Sequence, residues 1–138
     1  MWDRQMAVEY LNSNAEDASI RRCAEYTRKA IEAGGALVVR HGLAKDYGSS
    51  LRAVGFQPLG KNPPGGFLAG DVVIIEALDE SHPEGHMAMF NGASWVSDFT
   101  QNGLYPGPRY RKQKPGYEIY RYGHKWDAVG SSWSSNLA

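Results

Sequence analysis

The chain holds a single cysteine, Cys23, in the run Ser19-Ile20-Arg21-Arg22-Cys23-Ala24. A thiol acts as a nucleophile through its thiolate, which is favoured at helix N-termini, beside cations and next to a histidine base. Helical periodicity places Cys23 in the first turn of a helix, one position off its apolar stripe and flanked by Arg21 and Arg22. There the positive end of the helix dipole favours the thiolate, and unpaired backbone N–H groups can face a developing oxyanion. The plain alternative is a small buried hydrophobe. A base is available in His86, which follows Gly85 and opens the strand-like run His86-Met87-Ala88-Met89-Phe90. Taken alone, such a histidine is as readily a surface polar residue.

Asp98 supplies the third group. Asn91-Gly92, between two apolar runs, is a hairpin signal. If the loop is Asn91 to Ala93, Phe90 pairs with Ser94 and His86 stands opposite Asp98. Cross-strand neighbours of this kind have Cβ atoms roughly 5 Å apart, close enough for a carboxylate to hold an imidazole in its working tautomer. A two-residue Asn-Gly turn instead pairs His86 with Ser97 and sends Asp98 to the opposite face. In the three-residue register, Met87, Met89, Trp95 and Phe99 share the face away from His86 and read as core. The Cys23 backbone N–H is a candidate oxyanion donor; no motif marks the second, and only its place on the third predicted helix points to Tyr47.

Other polar clusters are weaker. His82 and His86 lie four apart near Asp79, Glu80 and Glu84, but Pro83 and Gly85 make this a loop, not the helix that a His-Glu-x-x-His zinc site needs. No metal or cofactor is expected. His41 and His124 read as solvated or locally bonded. Arg109, Arg111, Lys112 and Lys114, interleaved with Tyr110 and Tyr117, read as a solvated face or as a wall of a groove.

The elements that must position these groups fall into two stretches. Ala7, Val8, Tyr10 and Leu11 predict a short helix stopped by Asn12-Ser13-Asn14. Ile20, Ala24, Thr27 and Ile31 fall at helical spacing and predict a second helix over 20–33, capped by Ser19 and ended by Gly34-Gly35. Tyr47, Leu51 and Val54 predict a third over 45–53, with Gly55 as the stop. From Phe56 onward the chain reads as short strands between turns such as Asn62-Pro63-Pro64-Gly65-Gly66 and Pro106-Gly107-Pro108. The strands are 71–75, buried on both faces, then 87–90, 95–99 and 119–122. Helices first and an antiparallel sheet afterwards is an α+β order. Residues 1–122 form the predicted domain, and 123–138 a polar, Ser-rich C-terminal tail.

Composition bounds the function. With 138 residues there is length for one substantial core, but hardly for two. The 15 basic and 15 acidic residues cancel, which argues against a general nucleic-acid binder. A lone cysteine makes no internal disulfide. No run of about 18 apolar residues is present to span a membrane, and the start Met1-Trp2-Asp3-Arg4-Gln5 lacks the layout of a secretory signal. Synthesis in the cytoplasm without a signal peptide is the expectation.

Taken in order, Arg22-Cys23-Ala24-Glu25-Tyr26-Thr27, Gly70-Asp71-Val72-Val73-Ile74 and Gly85-His86-Met87-Ala88-Met89-Phe90, with Asp98 twelve positions after His86, resemble the NlpC and CHAP papain-like amidases. Those enzymes cut peptide bonds in bacterial cell-wall peptidoglycan. With Ala30-Ile31-Glu32-Ala33-Gly34-Gly35 and Ser97-Asp98-Phe99 the chain is most similar to type VI secretion amidase effectors, over roughly 7–122. Many NlpC enzymes have Asp before the nucleophile and His or Asn as third residue, and CHAP enzymes often have Glu or Asn there; here Arg22 and Asp98 hold those places. The resemblance implies a papain-like fold and a triad of Cys23, His86 and Asp98. It also implies stem peptides as substrate, a secretion apparatus that delivers the protein to the periplasm of target bacteria, and a cognate immunity protein. Two other readings fit the same residues. One is a non-catalytic wall-binding or protein-binding module with a structural Cys23, the other a cysteine acyltransferase.

Overall fold

The computed structural model describes residues 1–123; the predicted tail beyond Gly123 and His124 lie outside the described residues. Helix α1 (Arg4–Asn14) starts where the Asp3 carboxylate accepts the Met6 N–H at 3.0 Å, and it buries Ala7 and Leu11. It absorbs the Asn-rich stretch predicted to stop it, because the Asn14 amide donates to the Tyr10 carbonyl and closes the last turn. Helix α2 (Cys23–Ala33) buries Thr27, Arg28, Ala30 and Ile31. It begins three residues later than predicted, and Ile20 lies outside it, 44% exposed. Ser19 does not cap it. The predicted third helix is divided into a 3-10 turn (Ala44–Asp46) and helix α3 (Gly48–Ala53), which buries Leu51.

Five antiparallel strands follow: β1 (Phe56–Pro58), β2 (Val72–Ile75), β3 (His86–Phe90), β4 (Trp95–Val96) and β5 (Tyr117–Tyr122), in the order β1-β5-β2-β3-β4. The all-apolar β2 lies in the middle, buried along its whole length as its composition requires. Val72 and Ile74, with Met87 and Met89 of β3, pack beneath Leu11, Ile31 and Leu51 of the helices. Val73 and Ile75 face the other way, into a second cluster with Ala88, Trp95 and Ile119 under Phe67, Tyr105 and Tyr117. This is the α+β, papain-like arrangement expected, with apolar clusters on both faces of the sheet. Among the described residues no helix is long and apolar enough to cross a membrane.

Two further features depart from the sequence reading. Helix α4 (Pro108–Gln113) grows from a segment read as a turn; Pro108 sits in its first turn, where a missing N–H costs no hydrogen bond. The β3–β4 hairpin has a four-residue loop, since Phe90 pairs with Trp95 and Met89 with Val96. The Asn91 side-chain oxygen accepts the N–H groups of Ala93 and Ser94 at 2.9 and 2.7 Å, which stabilises the longer turn. One residue of slip reverses every side chain. Trp95 therefore packs with Ala88, away from Met87 and Met89, and continuation of the ladder would set His86 opposite Phe99, not Asp98.

Candidate active site

The site is built where α2 meets the free flank of β3. The Phe90 N–H bonds to Asp71 of the β2 side, so alternation turns the Met87 N–H and C=O toward the β4 side. Strand β4 ends at Val96 and offers no partner there, and the first turn of α2 fills the place. The Thr27 hydroxyl donates to the carbonyl of Cys23 at 2.8 Å and lies 3.3 Å from that of Met87, which ties the first turn of the helix to the strand. Cys23 is the first helical residue, and the free N–H groups of a first turn point outward beside it.

A buried carboxylate shapes the approach to Cys23. Asp98, fully buried, accepts the N–H groups of Ile20 and Arg22 on one oxygen, at 2.7 and 3.0 Å, and the Ser97 hydroxyl on the other at 3.1 Å. Between the two captured amides Arg21 takes a left-handed conformation, φ 62°. Helix geometry can begin only after this turn, which is why α2 starts at Cys23. Asp98 is thus beside the site, but its hydrogen bonds go to this loop and not to the His86 ring.

The ring is held by another residue. His86 is 7% exposed, and its Nε2 lies 2.7 Å from Oε1 of Gln101. The Gln101 amide donates to the carbonyls of Gly103 and Leu104 at 2.9 and 3.1 Å, so its oxygen faces the ring and Nε2 carries the proton. Nδ1 keeps the free lone pair a base requires. Gln101 arrives there because the chain reverses after Val96, with Ser97 N–H donating to the Phe99 carbonyl and Gln101 N–H to that of Trp95. No motif marks it in advance. Gly85, just before His86, has φ 69°, and a Cβ there would collide with the Ile75 carbonyl oxygen. That glycine permits the sharp entry into β3.

Burial dominates the proton affinities. It pushes His86 down to about 4, against the opposing pull of the Gln101 hydrogen bond and the Asp98 charge. It pushes the Cys23 thiol up to about 11, with the Met87 N–H opposing it and the Asp98 charge adding to it. The resting groups are a neutral thiol and a neutral imidazole. Asp98 favours the imidazolium form once a proton arrives.

Cys23 and His86 line one cleft of about 760 Å³, together with Phe99, Arg109 and Tyr110. His82 does not converge with His86 on a metal-like site; it lies 3.0 Å from Asp79 and 3.2 Å from Arg109 at the exposed rim. His41 bonds Ser50 at 2.6 Å, and the Tyr47 hydroxyl donates to the His41 carbonyl at 3.2 Å, which engages the group considered as an oxyanion donor.

Neither a protein-family model nor a curated protein matches this chain. Solved structures do. In the crystal structure of the type VI native effector-immunity complex Tae3-Tai3 from Ralstonia pickettii, the matching chain is 48% identical, with a TM-score of 0.80. The match covers 88% of this chain and 100% of that one. The selenomethionine form of that complex matches at 49% identity and a TM-score of 0.76, covering 83% of this chain and 98% of the other.

Proposed function

This chain belongs to the Tae3 family of type VI effectors, and from that premise we propose that it is a cysteine amidase of bacterial cell-wall peptidoglycan, related to the NlpC and CHAP enzymes. The observation that carries this reading is the single cleft in which a helix-N-terminal thiol and a buried, tautomer-fixed imidazole are brought together. His86 Nδ1 takes the thiol proton as the Cys23 sulfur attacks an amide carbonyl of a stem peptide or cross-link. The Cys23 N–H faces the resulting oxyanion. His86 then gives its proton to the departing nitrogen, leaving a thioester. A water molecule, deprotonated by His86, attacks the thioester and releases the carboxylic acid and the free thiol.

The third member is divided in two. Gln101 orients the ring, while Asp98 acts through its charge and through the loop it holds. The enzyme acts as an antibacterial toxin in the periplasm of target cells, delivered by the type VI apparatus. The Tae3 structures are effector-immunity complexes, which supports a cognate immunity protein as partner here. Residues 1–122 are the catalytic domain in this reading.

Purified sacculi incubated with wild type and with Cys23→Ala test the reading, with released fragments separated by chromatography and weighed by mass spectrometry. New peptide fragments are expected from wild type alone. A folded wild type that releases nothing, or a Cys23→Ala protein that releases as much, overturns it.

A further inference from the structure

Cys23 stands where two clefts meet. The larger holds His86 and is walled by Phe99, Pro106, Pro108 and Tyr110. The smaller, about 300 Å³, lacks His86 and is walled by Arg21, Arg22, Arg28 and Arg40 with Glu25 and Glu84. Several of these charges already have partners. Arg28 lies 2.9 Å from Glu32, and Glu25 lies 3.0 Å from Lys29 and 3.9 Å from Arg22. Among the described residues Arg21 and Arg40 have no carboxylate within ion-pair distance, and neither does any arginine pair with Glu84.

Arg21 is also the residue held in the left-handed turn, a conformation unfavourable for any side chain other than glycine. The buried Asp98 carboxylate grips the amides on both sides of it, and the Ser19 hydroxyl oxygen accepts its own N–H at 3.3 Å. Such strain persists where the surroundings over-determine it, and it gathers at ligand clamps. Here the turn carries Arg21 to the junction, where it lines both clefts.

The chemistry orients the substrate. His86 must protonate the departing nitrogen, so the leaving half occupies the larger cleft and the acyl half extends into the smaller one. We propose that the smaller cleft is an acyl-side subsite for a free carboxylate on the peptide substrate, with Arg21 and Arg40 as its cations. This rests on the amidase reading. Guanidinium groups suit the task because they present paired donors that match a carboxylate.

The test compares two stem-peptide fragments that differ only in whether the acyl-half carboxylate is free or a carboxamide. Wild type is expected to favour the free acid about tenfold to a hundredfold in kcat/KM, the range a charged hydrogen bond spans. Arg21→Gly, which suits the turn, and Arg40→Gln, which lies outside it, should each reduce that ratio several-fold, chiefly through KM on the free acid. Lys112→Gln on α4 should keep it. Equal turnover of the two fragments by wild type, or an unchanged ratio in both arginine variants, overturns the subsite. Calorimetry with Cys23→Ala separates this failure from that of the amidase reading. Tighter binding of the free acid, lost in the added Arg40→Gln variant, supports the subsite even without hydrolysis, while equal binding of both fragments overturns it.

Discussion

Two fully buried aspartates flank strands of this sheet, Asp71 before β2 and Asp98 after β4, and their surroundings differ in one respect. Asp71, just before β2, meets the Arg121 guanidinium through both oxygens, at 2.9 and 2.8 Å. The same guanidinium donates to the carbonyls of Pro64 and Gly66, at 3.0 and 2.8 Å, and so fastens the 62–66 turn to β5. Asp98 accepts only neutral donors, two backbone amides and a hydroxyl. A paired carboxylate has its charge cancelled locally and serves as a clamp. An unpaired one, solvated by amides, keeps its charge and exerts it on its neighbours, here Cys23 and His86. In the proposed mechanism Asp71 therefore serves stability and Asp98 serves chemistry, although both stand in segments that the family resemblance singles out.

The sharpest way to break this division is at the groups on which the Asp98 charge acts. His86→Ala should reduce sacculus hydrolysis to the level of Cys23→Ala, a loss on the order of 10⁴-fold or more, and the double variant should lose nothing further because the pair works as a unit. Retention of a tenth of the activity by His86→Ala would remove the base from the mechanism.

Asp98→Asn should lower kcat/KM about a hundredfold, with the protein still folded by circular dichroism. Asp71→Asn should leave kcat/KM within about twofold but cost roughly 3 kcal/mol in urea unfolding, since a largely buried guanidinium loses its countercharge. The reverse pattern would refute the comparison. Gln101→Ala should cost about tenfold through a loosened ring, and Gln101→Glu should raise the proton affinity of His86 by placing a carboxylate against Nε2.

The smallest effect is a displacement along the pH axis. kcat/KM for wild type should rise as pH increases through about 4, where His86 loses its proton, and stay level to neutrality. The Asp98 charge raises the His86 pKa, so Asp98→Asn should move that limb to lower pH, while Asp71→Asn leaves it in place. Stability follows the same group. The unfolded chain binds a proton near pH 6.5 that the native ring refuses until about 4, so the contribution of His86 is fully present above 6.5 and is lost as pH falls through that window. Denaturation followed between pH 7 and 4 checks the sign.

The sequence and the structure part company at identifiable residues. The helix start moved from Ile20 to Cys23 because a carboxylate 76 positions away from Arg22 captures two amides of the approach. The His86 partner changed from Asp98 to Gln101 because the Asn91 side chain stabilises a loop one residue longer than expected, and because the chain reverses after Val96. Helix α4 was hidden by Pro108, since a proline opens a helix as readily as it closes a turn.

The amino-acid order alone marks Cys23 at a helix start and His86 at a strand opening as the candidate reactive pair, and it determines the buried central strand and the α+β sequence of elements. These rest on periodicity, capping and turn chemistry, all of which act over a few neighbouring residues. Which group touches the imidazole and which amides Asp98 captures were settled by contacts between segments apart in the sequence, 15 positions for Gln101 and 76 or 78 for Asp98. There a single extra loop residue exchanges one face of a strand for the other, and no local pattern in the chain records the choice.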